Sequence, residues 1–334
     1  MKNRSGEAAV QLAGQLLGGS PAIARALLAG NMDPQALRPM GRNASLRKDE
    51  WKLMDDALVA ISTQRLVGWS DLVSRGLTYT IGNGLGTTVL EYETESDMND
   101  AVLNMTGDAA GANDALNFEI GYLPLPIIHK DFQIPIRKLH ASRRQGVSLD
   151  TAQTTTAGRK VSEKIEEILF VGASTYKFGS GTLYGYLDHP SRNTVSLGTG
   201  WTASGADPVS DVLSMKQASI DAKHYGPWVL YVPTAYETAL DEDFSAAKGD
   251  LTVRQRILNI EGIQAVRVAD KLTAANVVLV EMQPDTIRGV IGMQPQILEW
   301  ETVGGLILNY KVMAIMIPQI RADQDGNCGI VHLS

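Results

Sequence analysis

The chain has a single cysteine, Cys328, among 334 residues. An intrachain disulfide is therefore excluded, and the composition suits a protein folded in a reducing compartment, with Cys328 as a packing residue rather than a nucleophile. Long apolar runs are missing too. The longest, such as Val312 to Ile317, fall far short of the roughly 20 residues that a membrane-spanning helix needs. The first residues are broken by Gln, Gly and Pro where a signal peptide would have an apolar core. The expectation is a chain that stays in a cytoplasm or is assembled in one, with no membrane partner. Basic charge is also scarce. With 30 Lys and Arg against 37 Asp and Glu, the net charge of −7 excludes a general nucleic-acid binder held by a basic surface. What is present, 44% hydrophobic and 20% charged residues, is globular material, long enough for two domains or one elaborated one.

The charge is unevenly placed. The first fifty residues carry seven basic side chains (Lys2, Arg4, Arg25, Arg38, Arg42, Arg47, Lys48) against Glu7, Asp33, Asp49 and Glu50, a net of +3 that leaves −10 for the rest. From Gly76 to His129 there is no Lys or Arg at all, while eight acids occur: Glu91, Glu93, Glu95, Asp97, Asp100, Asp108, Asp114 and Glu119.

Motifs of catalysis and cofactor binding are absent as well. In "TIGNGLGTT", Thr80 to Thr88, the place of a third dinucleotide-loop glycine is Thr87, and an alternating stretch follows where a helix should receive the pyrophosphate. The glycines read as a turn or hinge, chosen for the positive φ that tight turns require. "FGSGT", Phe178 to Thr182, lacks the Gly-Lys-Ser/Thr of a P-loop, and no Gly-x-Ser-x-Gly elbow occurs. "DQDGN", Asp323 to Asn327, opens like a calcium loop but has Cys328 and Ser334 where Gly and Glu are needed, so it reads as a solvated turn. His129, His140, His189, His224 and His332 show no metal-ligand spacing with one another or with Cys328. Asp188-His189 lies in a turn-like "LDHP", and Asp241, Glu242 and Asp243 read as a solvated helix end. No catalytic, cofactor-binding or metal-binding residue is assigned, no cofactor is expected, and the chain is not read as an enzyme.

Residues 1–45 read as an arm with two short helical stretches separated by Gly-Gly-Ser and Asn-Met-Asp-Pro breakers. A helix is expected from Lys48 to about Val67, carrying Trp51, Leu53 or Met54, Leu58, Ile61 and Leu66 near helical spacing. "TTVLEYETE" and "NFEIGYLPLPIIHKDFQIPI" read as a long two-stranded excursion, too long and polar to stand alone. The strongest helix is "SLDTAQTTTAGRKVSEKIEEILFVG", capped by Ser148 or Asp150. Val161, Ile165, Ile168 and Leu169 lie on its inner face, Arg159, Lys160, Glu163, Lys164, Glu166 and Glu167 on its outer one, and Gly172 just past its end. From Asp207 helices alternate with the strands "WVLYVP", "AVRVAD", "NVVLVEM" and "GVIGM" as a compact α/β unit, and the last forty residues are mostly strand.

This order and spacing, over roughly residues 46–334, resembles the encapsulin and tailed-bacteriophage major capsid family, which shares the Hong Kong 97 type capsid fold. The resemblance lies in "LRKDEWKLMDDALVAIS", in "PLPIIHKDFQIPIRKLHASRRQGVSLDTAQTTTAGRKVSEKIEEILFVGASTYKFGSGTLYGYL" with its Leu149-Asp150 helix start and its Leu183, Gly185 and Leu187 turn, and in "WVLYVPTAYETALDE" and "VRVADKLTAANVVLVEM". It implies an α+β fold with an N-terminal arm (1–45), an N-terminal helix region (46–75) and an extended loop (76–129) that reaches over a neighbouring subunit. A peripheral domain (130–206, spine helix about 150–171), an axial domain (207–295) and C-terminal strands returning to the peripheral domain (296–334) would follow. It further implies a major capsid subunit self-assembling into an icosahedral shell around packaged double-stranded DNA, encapsulin-like in its branch. Its partners would be itself, in hexamers and pentamers, with scaffolding, portal and decoration proteins and non-specific DNA on the inner face. An encapsulin compartment around a cargo enzyme is the alternative, and an enzyme with a site of scattered residues a third. Some family members crosslink through a loop lysine; this loop has none, so non-covalent subunits are expected.

Overall fold

In a computed structural model of the chain, residues 53–54, 56–58, 67–95, 103, 105, 118–145, 152–243, 251–273, 275–323 and 325–334 are described. They form a mixed α+β architecture that divides into two units. One comprises residues 131–157 and 297–312 with the described residues among 53–58; the other comprises 59–130, 158–296 and 313–334. The expected arm, the cap candidates Ser148 and Asp150, and the tip at 244–250 lie outside the described residues.

In the larger unit a five-stranded sheet runs in the order β7 (Asn193–Val195), β13 (Ile330–Leu333), β10 (Val277–Glu281), β8 (Trp228–Pro233), β9 (Ile263–Ala269). Every residue of β8, β10 and β13 is buried. That is why "WVLYVP" and "VVLVE" are unbroken apolar runs: strands covered on both faces need no polar alternation. β8 and β9 are parallel, so the chain between them must cross over, and the described residues of that crossover include two short helices. The second, Val253–Leu258, starts with a capping box: Thr252 accepts from the Gln255 N–H while the Gln255 side chain accepts from the Thr252 N–H. The preceding helix, Pro208–Asp221, adds Val212 and Met215 to the same core, which also holds Trp201 stacked on Tyr236 at 5.4 Å.

The C-terminal half is divided between two sheets. "GVIGM" does not join this sheet; it opens the 16-residue strand β11 (Ile287–Thr302), which sits between β1 (Thr78–Thr80) and β12 (Ile307–Ile320) in a separate sheet. The last forty residues, mostly strand as expected, are also divided between the two sheets. β12 neighbours β11, whereas β13 pairs with β10 and β7 in the five-stranded sheet. The turn around Asp323 to Gly326 separates them, and an apolar strand such as "IVHL" takes whichever buried edge is open.

The long helix α3 (Ala152–Phe170) buries Val161, Ile165, Ile168 and Leu169 as its periodicity requires. It ends at Gly172, whose φ of +81° suits glycine and whose N–H reaches back to the Ile168 carbonyl at 3.1 Å. The returning chain then caps the remaining carbonyls: Tyr186 and Leu187 donate to Leu169 and Phe170 at 3.0 and 2.9 Å. Gly185 permits this, because a Cβ there would lie 2.4 Å from the Gly172 nitrogen. The outer face contains one error of expectation. Glu166 is buried, at 4% exposure, and its Oε1 accepts the Gly68 N–H at 2.9 Å. It thereby caps the first turn of helix α1 (Val67–Ser74), a donor-rich helix start that attracts a carboxylate from outside its own sequence. The helix expected from Lys48 to Val67 is described only at 53–54 and 56–58, where Met54 and Leu58 are buried.

In the smaller unit, Met54, Ile134, Leu139, Leu308 and Tyr310 form a separate core. Ile134 comes from β4 (Ile128–Pro135) and Leu139 from helix α2 (Ile136–Gln145). Phe132 stacks on Tyr310 at 5.1 Å, and the Tyr310 hydroxyl donates to Glu299 at 3.3 Å.

The "TIGNGLGTT" turn is real, but its glycines serve another purpose than expected. None of Gly82, Gly84 and Gly86 has positive φ. Asn83 organises the turn, its side-chain oxygen accepting from the Gly86 N–H at 3.0 Å. Gly84 lies against β11, where a Cβ would come within 2.1 Å of the Gly292 carbonyl oxygen. The constraint is space between two backbones.

Two outcomes follow for urea melts. Gly84→Ala should lose about 1–3 kcal/mol, the usual cost of overpacking, while Gly82→Ala, with nothing within 4 Å of its Cβ, should stay within about 0.5 kcal/mol of the parent. Equal stabilities would remove the close-approach argument. Burial raises the Glu166 carboxyl to about 7 from its ordinary 4.5. The folded state therefore holds a proton there that the unfolded chain releases. This stability is complete below pH 4.5 and is lost as pH rises through 7, on the order of 3 kcal/mol in all. Glu166→Gln should flatten that slope between pH 4.5 and 7; an unchanged slope would assign it to another group.

Candidate functional site

The acidic excursion of the sequence is a hairpin of β2 (Val89–Glu95) and β3 (Phe118–Pro124), antiparallel with Glu91 opposite Tyr122 and Glu93 opposite Ile120. Residues directly opposite share a face. One face thus presents the Glu91 and Glu93 carboxylates on one strand and Ile120 and Tyr122 on the next, all exposed. Phe118, two residues before Ile120, continues the apolar row at 58% exposure. On the other face Tyr92 lies over Gly121, where a Cβ would fall 2.4 Å from the ring. Glycine weakens a strand, and a cross-strand aromatic laid over it restores the lost contact.

The base of the hairpin is held at three points. Leu125 donates to the Thr88 carbonyl at 2.9 Å, Arg321 donates to the Glu93 carbonyl at 3.4 Å, and Pro124 packs on Gly181 of the short pair β5 (Ala173–Phe178) and β6 (Gly181–Leu183). Beside it opens a cleft of about 310 Å³ lined by Tyr92, Tyr122, Thr182, Tyr184, His189 and Gln319, among others. Burial, helped by the Arg192 charge, pushes His189 down to about 4, so its ring is neutral near pH 7 and its Nδ1 accepts the Ser191 N–H. The Gln319 side chain is 1% exposed; its oxygen accepts from Arg288 at 2.8 Å, and its nitrogen has no partner among the described residues. Ser180, Ser191 and the Asp323 carboxylate complete a lining that can hold a polar group.

The other residues singled out in the sequence are spread through the fold. Asp188 holds a turn, accepting the Gly185 and Ser174 N–H groups at 2.6 and 3.2 Å. Asp323 likewise accepts from the Asn327 backbone and side chain, at 2.6 and 2.7 Å. Asp241 pairs with Arg254 at 2.9 Å, and Asp243 bridges to Thr252. Cys328 is fully buried, and burial pushes its thiol up to about 12, so it carries no thiolate at neutral pH.

One polar centre had no sequence signal. Glu281, at 2% exposure, accepts from the Gly226 N–H at 2.8 Å and the Thr286 hydroxyl at 2.9 Å, and pairs with Nδ1 of His224. The hydrogen bond that its ring donates to Glu281 raises His224 above its ordinary 6.5, while for Glu281 burial is outweighed by His224 and Thr286 and the carboxyl is lowered. Fifty-seven residues separate the pair, so only the fold brings it together. It is a clamp between two loops, with all its near partners on the protein itself.

Comparison with known proteins fits this architecture. The sequence matches, over residues 41–333, a family of unknown function (DUF6260). It is 25% identical over 195 residues to the type 1 encapsulin shell protein EncA of Myxococcus xanthus (strain DK1622), a match spanning 57% of this chain and 62% of that protein's length. The virus-like particle of Pyrococcus furiosus superposes with a TM-score of 0.60 at 15% identity, covering 85% of this chain and 99% of the other. The capsid of Myoviridae phage XM1 gives 0.61 at 10% identity, covering 78% and 90%. The chain therefore belongs to the family DUF6260, and its fold is the Hong Kong 97 type capsid fold.

Proposed function

We propose that the chain is a major capsid subunit that self-assembles into an icosahedral shell around packaged double-stranded DNA. The observation that carries this reading is the outer face of the β2–β3 hairpin. Phe118, Ile120 and Tyr122 are exposed on a two-stranded element, in a fold that solved capsids share. A two-stranded hairpin with an uncovered apolar row is marginal in water, and a neighbouring copy supplies the missing cover. In this reading residues 76–129 are the extended loop, 130–206 the peripheral domain, 207–295 the axial domain and 296–334 C-terminal strands, with 1–45 as an interior arm. The partners are other copies in hexamers and pentamers, scaffolding, portal and decoration proteins, and DNA held non-specifically at the inner face. The net +3 of the first fifty residues favours such contact modestly. Assembly takes place in the cytoplasm of a bacterial host. The acids inside the chain hold backbone groups, which supports a structural and not a catalytic role.

The encapsulin relative favours a second reading, a compartment shell around a cargo enzyme. Expression of the full chain, followed by negative-stain microscopy, tests both. Closed particles are expected, and their diameter and nucleic-acid content separate a genome-sized head from a small compartment. Boiled in detergent, the particles should run as one band near 36.0 kDa, because the hairpin segment has no lysine to crosslink. A chain that remains monomeric or a small oligomer under all conditions would overturn the reading, and a detergent-resistant ladder would overturn the non-covalent assembly.

A further inference from the structure

Two arginines of the larger unit stand together without a counter-ion. Arg288 is the second residue of β11, and Arg321 directly follows β12. The two chains are cross-bonded there: the Arg321 backbone N–H donates to the Thr286 carbonyl at 2.9 Å, and the Arg288 Nε donates to Gln319 Oε1 at 2.8 Å. Arg321 lies two residues beyond Gln319, and alternate positions of an extended chain share a face, so Arg321 falls on the face that carries the Arg288–Gln319 bond. Burial, and after it the charge of Arg321, lowers the Arg288 guanidinium from its ordinary value. Neither arginine has a carboxylate within ion-pair distance among the described residues. The acid next along the chain, Asp323, holds Asn327, and Glu93 meets Arg321 through its backbone carbonyl at 3.4 Å. Other cations are neutralised, as Arg254 is by Asp241 at 2.9 Å and Lys164 by Glu167 at 2.8 Å.

We infer that Arg288 and Arg321 form a binding site for a phosphate group, reached from solvent beside Tyr79. The inference does not depend on the shell reading. Two like charges held side by side repel each other, and water and salt screen a partly buried pair less than an exposed one. Here the bonds to Gln319, Thr286 and Glu93 hold the two residues in place, so an entering anion relieves the repulsion. The charges match. A phosphate monoester or inorganic phosphate carries about −1.5 to −2 near neutral pH against the two guanidiniums, whereas a single carboxylate would leave one of them uncompensated. The geometry also suits a tetrahedral oxyanion. Arg288 spends its Nε on Gln319 and keeps both terminal nitrogens, while Arg321 keeps its Nε and one terminal nitrogen, and such planar forks bind phosphate oxygens in pairs. The site is open, because both arginines are partly exposed and Tyr79 is 45% exposed. Its ring lies against the Arg288 guanidinium at 5.4 Å, which restricts that side chain before any ligand arrives and lowers the entropy lost on binding. A free phosphate and the phosphodiester of a nucleic acid share this chemistry.

Titration of the full chain with inorganic phosphate at constant ionic strength, followed by phosphorus NMR, tests the site. The parent should bind one phosphate per chain with a Kd in the millimolar range. Arg321→Gln should weaken binding at least about tenfold. Arg288→Lys, which keeps the charge and a donor for Gln319 but loses the fork, should weaken it about threefold or more. Arg137→Gln, which removes the same charge from an exposed position of helix α2, should leave the Kd within about twofold of the parent. A parent that binds no phosphate overturns the site, and so do equal losses in Arg137→Gln and Arg321→Gln. Should Arg321→Gln fail to fold by circular dichroism, Arg321→Lys decides: a loss of about threefold or more is expected, and an unchanged Kd overturns the site. A short DNA duplex without terminal phosphates separates the two sources. Displacement of phosphate by the duplex in the parent assigns the site to a nucleic-acid backbone, and phosphate binding that the duplex leaves untouched assigns it to a free phosphate.

Discussion

The end of helix α3 is the constraint on which the larger unit depends. A helix that stops inside a protein leaves its last carbonyls to be satisfied, and here the chain does so by folding back upon itself. Gly172 turns the chain, Gly185 lets the returning backbone touch the helix end, and the N–H groups of Tyr186 and Leu187 take the free carbonyls. That return delivers Tyr186 against Phe170, whose ring also meets Tyr231 of the central strand β8 at 5.0 Å. One termination thus joins the helix to the sheet. Glu166, a turn earlier, joins it to α1, so the same few residues of α3 set three neighbours in place.

Polar groups inside this fold are spent on architecture. Glu166, Asp188 and Glu281 each accept hydrogen bonds from backbone N–H groups, which satisfies the donors and fixes the backbone they belong to. Exposed elements include, in the larger unit, a hairpin carrying carboxylates and an apolar row and, in the smaller unit, a helix with four cationic residues and no acid. Surfaces of that kind are unstable arrangements for a lone molecule in water and natural ones for a molecule that meets its own copies.

Much of this could be read from the residues alone. The apolar runs of β8 and β10, the helical rhythm of Val161, Ile165, Ile168 and Leu169, the stop at Gly172 and the alternation of "VLEYETE" are all local patterns, and each became the element it announces. The places where reading failed are of another kind. Glu166 looked like one more charge on an outer face, and Gly84 looked like a residue chosen for its φ. The strand "GVIGM" looked like part of the neighbouring α/β unit, and the His224–Glu281 pair gave no sign at all.

The sequence by itself determined the class of elements, their order, the one-sided charge of the hairpin segment and the absence of any short catalytic motif, because periodicity, capping and charge runs are interactions between residues a few places apart. The tertiary structure alone decided which carboxylate is buried, which glycine must leave room for another backbone, which sheet receives the last strand and which face of the hairpin stays uncovered. Those depend on partners tens to hundreds of residues away, whose positions are settled only when the competing burials of the whole chain are satisfied together.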